Sequence, residues 1–370
     1  MRLTYGEGMT MPETHQPSSD QSSTGGYVDW QFAKAAGAKL VAPGPKVTAA
    51  EAEQVVTEVR QAALRAQQPV ADTARLHAPG DAPGPIVVDR ATWIALNADS
   101  MAALMNPVLG KLADRQKAAP SEAVKAIGGK VTGGEAGALL AFMASKVLGQ
   151  YDLAPEGTPR LMLVAPNLVQ VERELDLDPS DFRLWVCMHE ETHRVQFTAV
   201  PWLRDHMVER IRTLATDLVP DPTTLQDTLA RLGRQLPDAL RSGGAGLTDL
   251  ITSPEQRAQL AEVTAVMSLL EGHADVVMDA VGPAVIPSVA QIRRRFDERR
   301  KGVGAFDRML RRLLGLEAKM RQYRDGAVFV RAVVDAVGTD GLNRVWESPE
   351  TLPKPSEIET PSAWVARVHG

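Results

Sequence analysis

Helical periodicity runs through almost the whole sequence, and one stretch departs from it strongly enough to read as a core strand. Residues 160–166, Arg-Leu-Met-Leu-Val-Ala-Pro, make a short apolar run closed by proline, the pattern of a buried strand. Residues 150–153 offer it a short partner. Elsewhere the spacing predicts helices over 30–40, 48–66, 89–96, 101–119, 134–148, 179–200, 201–218, 223–236, from 253 to Gly282, and over 286–300 and 306–334, before a proline-rich tail from Pro349. Two helix starts carry full signals. Thr48 with Glu51, and Ser253 followed by Pro254 and Gln256, are capping boxes in which side chains satisfy the first free amides of the helix. One or two strands cannot frame a chain of this length, so the expected class is mainly α (α+β) with a small β-sheet.

The glycine-rich segment 128–134 invites comparison with a phosphate-cradling loop. That loop needs Ser or Thr after its lysine and a strand before it; here Val131 follows Lys130 and no strand precedes. A plain turn is expected, opening a small-residue helix whose Gly137, Ala138, Ala141 and Ala144 permit close helix packing. At 370 residues the chain exceeds what one core usually serves. The expected organisation is a disordered leader over 1–27, an N-terminal helical lobe over 28–150 and a metal-binding helical domain over 151–370.

Charge and cysteine usage narrow the partners. The net charge of −5 offers no general attraction to nucleic acid or anionic lipid. The most apolar uncharged stretch, 280–292, contains Pro283 and Pro287 and is shorter than the ~20 residues a spanning helix needs. The N-terminus lacks the apolar run of a secretory signal. With Cys187 the single cysteine, no intrachain disulfide can form, which suits a cytoplasmic location.

The informative segment is His189-Glu190-Glu191-Thr192-His193, inside the helix predicted over 179–200. Histidines four apart stand about 40° apart in azimuth and about 6 Å apart along the axis, so both imidazoles can reach one cation. Glu190, about 100° round, is poorly placed as a ligand but well placed to hydrogen-bond a water beside the cation. This is the HExxH arrangement of zinc sites. A third ligand comes from Leu270-Glu271-Gly272-His273-Ala274-Asp275 in the helix that starts at Ser253. Glu271 and Asp275 share a face, and His273 lies roughly 160–200° away from both. Glu271 is the expected ligand, because Asp275 can then accept the outer ring N–H of a ligating histidine; His273 is the alternative.

The pattern resembles gluzincin metallopeptidases, in which a helix bearing HExxH is followed by one bearing ExxxD. More closely, from about Val28 to Trp364, the chain resembles an actinobacterial zincin-like (type 2) metallopeptidase and hydrolase family associated with deazaflavin-coenzyme biosynthesis. The segments HEETHRVQFTAVPWLR, LLEGHADVVMDAVGP and AKMRQYRDG carry that resemblance. It implies a zincin-like fold with two metal-bearing helices, a single zinc ion per chain on His189, His193 and Glu271, and Glu190 as general base. Two features depart from the peptidase pattern: Glu191 and Arg194 are charged where such motifs are usually uncharged, and Glu271 lies far downstream.

The expected activity is therefore zinc-dependent hydrolysis of a peptide or small amide substrate. A second electrophile for the tetrahedral intermediate is sought in Tyr323, with Arg324 beside it and His206 behind. Two other classes stand open: a catalytically silent, zinc-stabilised interaction protein, whose mark would be a fourth ligand such as His273 or Glu191, and a helical domain without metal. Cys187 reads as a small buried hydrophobe, Trp185 and Trp202 as core, and the arginines from 293 to 300, interleaved with Asp297 and Glu298, as a solvated helical face. The loop 237–252 is expected to border the cleft.

Overall fold

The computed structural model describes residues 27–115, 122–218, 253–301 and 316–370. The helix expected over 223–236, the loop 237–252 and all of the leader except Tyr27 lie outside the described residues.

The chain enters with α1 (Trp30–Leu40) and α2 (Ala49–Ala74), the latter started by the Thr48/Glu51 capping box. Alanines and valines on one face of α2 (Val59, Ala62, Ala63, Ala66, Val70) pack into the core, and that burial carries the helix past Pro69 and beyond its expected end. After β1 (Ile86–Val88) come α3 (Arg90–Arg115) and α4 (Glu122–Ala144). The stretches expected as separate helices over 89–96 and 101–119 join in α3.

The glycine run 128–134 is helical, not a turn, because its small residues face α1. A Cβ on Gly133 would lie 2.4 Å from the Asp29 carbonyl oxygen, and one on Gly137 would lie 2.5 Å from that of Ala33. Close backbone packing offsets the conformational cost of helical glycine.

Strands β2 (Gly149–Asp152) and β3 (Arg160–Val164) pair antiparallel, with Gly149 opposite Leu163 and Asp152 opposite Arg160. On its other side β3 pairs parallel with β1, Ile86 opposite Met162. The order is β1-β3-β2, so the longest and most buried strand takes the centre. The β1 segment showed no strand signal in sequence, because three residues are too few for a period to declare itself.

Helix α5 (Ala165–Glu174) leads to α6 (Pro179–Ala199), whose cap Asp178 accepts from the Asp181 amide at 2.9 Å. α6 is wedged between α2 and the sheet, and Leu184, Val186, Cys187 and Met188 are buried there. Arg183, also buried, is held by Glu172 at 2.6 and 2.9 Å and by Glu58. Helix α7 (Leu203–Leu218) follows, then α8 (Pro254–Val281), which begins at the Ser253/Gln256 box and stops at Gly282, in positive φ.

α9 (Val289–Lys301) and α10 (Leu316–Leu342) complete the main helices. Three arginines of α9 are paired: Arg293 with Asp279, Arg295 with Glu298 and Arg299 with Glu174. The proline-rich tail folds onto the core as α11 (Pro355–Glu359) and α12 (Pro361–His369), burying Leu352, Ile358 and Trp364. Thus the architecture is mainly α with a small three-stranded sheet. No described helix is long and apolar enough to cross a membrane.

Candidate metal centre

Two helices build the site. α6 presents His189 and His193 one turn apart, and α8 presents Glu271 against them. The two histidine Nε2 atoms are 3.2 Å apart with their rings at 89°. Glu271 Oε2 lies 3.5 Å from His189 Nε2, and Oε1 lies 3.8 Å from His193 Nε2. Ligand atoms from the three residues fall within 4.8 Å of one another. A tetrahedral zinc with nitrogen ligands at ~2.0–2.1 Å places those nitrogens roughly 3.3 Å apart, so the histidine spacing fits such an ion.

The outer ring nitrogens decide which way the lone pairs point. Gln196 Nε2 donates to the Leu270 carbonyl at 2.9 Å, which fixes the orientation of its amide. Gln196 Oε1 then faces His193 Nδ1 at 3.0 Å and can only accept, so Nδ1 carries the hydrogen and Nε2 a lone pair. His189 Nδ1 lies 3.3 Å from Met278 Sδ, a weak acceptor, which sets the same tautomer. These partners are Met278 and Gln196 and not Asp275, the one expected from helix geometry. Asp275 acts through its charge, which favours the protonated forms of both histidines.

Three lone-pair groups converging this way could hold a cation between them. Burial opposes charge on His189, but the hydrogen bond to Glu271 and the charges of Glu190, Glu271 and Asp275 outweigh it and raise its pKa to about 9. His193 is shifted down, chiefly by burial. The donor set suits zinc.

Glu190 is 8% exposed. Burial lifts its carboxyl to about 7; the nearby positive His189 works against that shift and Glu271 works with it. Gly149 of β2 covers it: a Cβ there would lie 2.5 Å from Glu190 Cγ. Two residues along β2, Tyr151 stacks on Phe197 of α6 at 5.5 Å. The sheet edge thus runs along the α6 face that carries Glu190, His193 and Phe197.

The alternative ligands lie elsewhere. His273 is buried, its Nδ1 accepts from Gln196 Nε2 at 2.9 Å, its ring packs on Trp346, and burial lowers its pKa to about 4. Glu191 is buried in a two-pronged pair with Arg194, at 2.6 and 2.8 Å. The two charged residues that departed from the peptidase pattern therefore neutralise each other inside the core. His206 packs on Trp202 and lines a cavity of about 530 Å3 with Arg210, Glu262 and Pro349, in which none of the clustered residues takes part. The side chains of Tyr323 and Arg324 lie outside the described part of α10. Cys187 is buried and its thiol pKa is raised by that burial. Trp202 donates to the Trp346 carbonyl at 3.0 Å, and Trp185 packs on Phe182 and Phe296.

Three contributors escaped the sequence reading: Gln196, Gly149 and the Gly272/Gly326 contact. A Cβ on Gly272 would come within 2.2 Å of the Gly326 carbonyl carbon, and one on Gly326 within 1.9 Å of the Ser268 carbonyl oxygen, so α8 and α10 meet backbone to backbone beside Glu271. Gln196 had a signal in sequence, lying three residues beyond His193 on the same helical face. The glycines had none.

An HExxH helix, a glutamate from a second helix and a sheet edge laid along the first define a zincin-like protein. Residues 28–365 match the zincin-like metallopeptidase family, and the chain belongs to that family. A crystal structure from Chloroflexus aurantiacus, described as a "putative hydrolase with a novel fold", superposes with a TM-score of 0.65 at 30% identity, covering 92% of this chain and 99% of its own. Comparison with curated proteins gave no match.

Proposed function

We propose that the protein is a zinc-dependent hydrolase that cleaves a peptide or other amide bond, with His189, His193 and Glu271 holding the metal and Glu190 as general base. The observation that carries this reading is the pair of inward-facing Nε2 atoms, 3.2 Å apart and facing Glu271. A bound zinc supplies Lewis-acid polarisation of the scissile carbonyl and makes water acidic enough to lose a proton near neutral pH. Glu190 takes that proton. Its carboxyl is buried beside the histidines, placed to accept a proton and pass it to the leaving nitrogen. Gln196 and Met278 hold the imidazoles in the tautomer that leaves Nε2 free to ligate.

His273 and Glu191, the candidates for a fourth protein ligand, are engaged with Gln196 and Arg194. This supports an open position over a closed structural site. Tyr323 as donor to the developing oxyanion belongs to the same proposal and is tested by Tyr323→Phe. So does a place in the deazaflavin-associated branch of the family, which rests on sequence resemblance.

The experiment is elemental analysis of wild type, Glu271→Ala and Glu190→Gln purified without added metal, followed by incubation with an internally quenched fluorogenic peptide mixture. Zinc in the wild type and in Glu190→Gln, its loss in Glu271→Ala, and cleavage reduced by about 10²–10⁴-fold in Glu190→Gln are expected. A wild type that neither carries nor takes up zinc refutes the reading.

A further inference from the structure

Gly149 stands where no side chain can stand. A Cβ built on it would lie 2.5 Å from Cγ, 2.7 Å from Cδ and 2.9 Å from Oε1 of Glu190, all well inside van der Waals contact. The need for glycine is steric and not conformational, because Gly149 is not among the residues in positive φ. Alanine could adopt this backbone; it could not share the space with Glu190.

Which partner would yield follows from what holds each. Gly149 is in the ladder opposite Leu163, and the carbonyl of Leu148 before it accepts from the Val164 amide at 2.9 Å. On the same face of β2, Tyr151 is stacked on Phe197. The loop after β2 is clamped as well, since Arg204 donates to the carbonyls of Leu153 and Ala154 at 2.8 and 2.6 Å. On the other side, the turn of α6 that carries Glu190 is anchored by the buried Val186, Cys187 and Met188. Both backbones are fixed. The element free to move is the Glu190 side chain, through its own torsions.

We infer that Gly149 is the positioning residue for Glu190: by lacking a side chain it creates the recess in which the carboxyl lies, and so it sets where the base meets the attacking water. The contact stands on geometry alone; its catalytic consequence rests on the reading of Glu190 as base given above. A methyl group at 149 leaves the fold and the histidine cluster in place and displaces the carboxyl.

The test has two arms. In the first, thermal and urea midpoints are measured for wild type, Gly149→Ala, Glu190→Ala and the double variant. Gly149→Ala is expected to lower the midpoint in the wild-type background and to leave or raise it in Glu190→Ala, where the atoms it meets are gone and the stiffer unfolded chain favours folding. Equal shifts in both backgrounds would overturn the inference. This arm needs neither metal nor substrate, so it decides the contact even if the hydrolase reading fails.

In the second arm, zinc-loaded wild type and Gly149→Ala are compared on the quenched peptide mixture. Expected are unchanged zinc content, an unchanged KM and a kcat lower by about ten- to a hundredfold, the cost of a misplaced reacting group. A crystal structure of Gly149→Ala should show the carboxyl moved and both histidines unmoved. Unchanged kcat, or a carboxyl still in its recess, would refute the positioning role.

Discussion

Gln196 offers the sharpest test of how this site is held together. Its amide takes a hydrogen from His193 Nδ1 and gives hydrogens to the Leu270 carbonyl and to His273 Nδ1, at 3.0, 2.9 and 2.9 Å. Gln196→Ala removes all three. The Leu270 carbonyl keeps its place in the helical ladder of α8, so two buried groups, the His193 N–H and His273 Nδ1, lose their partners. Each such orphan costs about 1–3 kcal/mol, and a water entering the space recovers part of it. The expected loss of stability is therefore roughly 2–4 kcal/mol. Freed from its acceptor, His193 is no longer held to the tautomer with Nε2 bare, and outer-shell losses of this kind weaken metal binding by about 10–100-fold. Gln196→Glu separates the two effects. A carboxylate still accepts from His193 but cannot donate to His273, so zinc affinity should survive while stability falls. The assays are urea unfolding of the metal-free variants and zinc titration against a chelator of known affinity. Zinc affinity within twofold of wild type in Gln196→Ala would refute the claim that this amide sets the histidine.

Other expectations follow from the same geometry. Arg194→Ala leaves Glu191, whose side chain is 1% exposed, without its buried partner and should cost about 3–5 kcal/mol by urea unfolding; a loss below 1 kcal/mol would contradict the pairing. Gly326→Ala drives a Cβ into the Ser268 backbone, forcing α8 from α10. It should cost at least about 1–3 kcal/mol and weaken zinc binding through the displaced Glu271, whereas Gly110→Ala on α3, with open space around it and no positive φ, should spare the zinc. Burial pushes the pKa of Glu357 up, but its pair with Arg367 at 2.6 and 2.8 Å, the hydrogen bond from the Lys354 amide and the Lys354 charge together outweigh it and leave the pKa lowered. Its contribution is thus present above the unfolded-state carboxyl pKa of about 4.3 and is lost as pH falls through the lower folded value. Glu357→Gln should be destabilised by about 1.5–3 kcal/mol at pH 7, and the gap from wild type should close in acid; a gap constant down to strongly acidic pH would count against the pair.

The sequence by itself determined whatever depends on neighbours along the chain. Periodicity located α1 and α6, and capping boxes located the starts of α2 and α8, because such signals act within four residues. The 3.6-residue helical repeat set His189 beside His193 and put Glu271 and His273 on opposite faces of α8 before any packing was known. The same logic identified β3 from its apolar run and Cys187 as core. What the tertiary structure decided depends on segments that meet only on folding. The glycine run 128–134 became helix because the backbone of α1 lies against it, and β1 is a strand because β3 offers it a ladder. Gly149 covers Glu190 from a strand 41 positions away in the sequence, and Gly272 meets Gly326 from another helix. A residue without a side chain leaves no pattern of its own. Its meaning is the shape of what it touches, and that is fixed only when two distant stretches of backbone come within a few ångströms of each other.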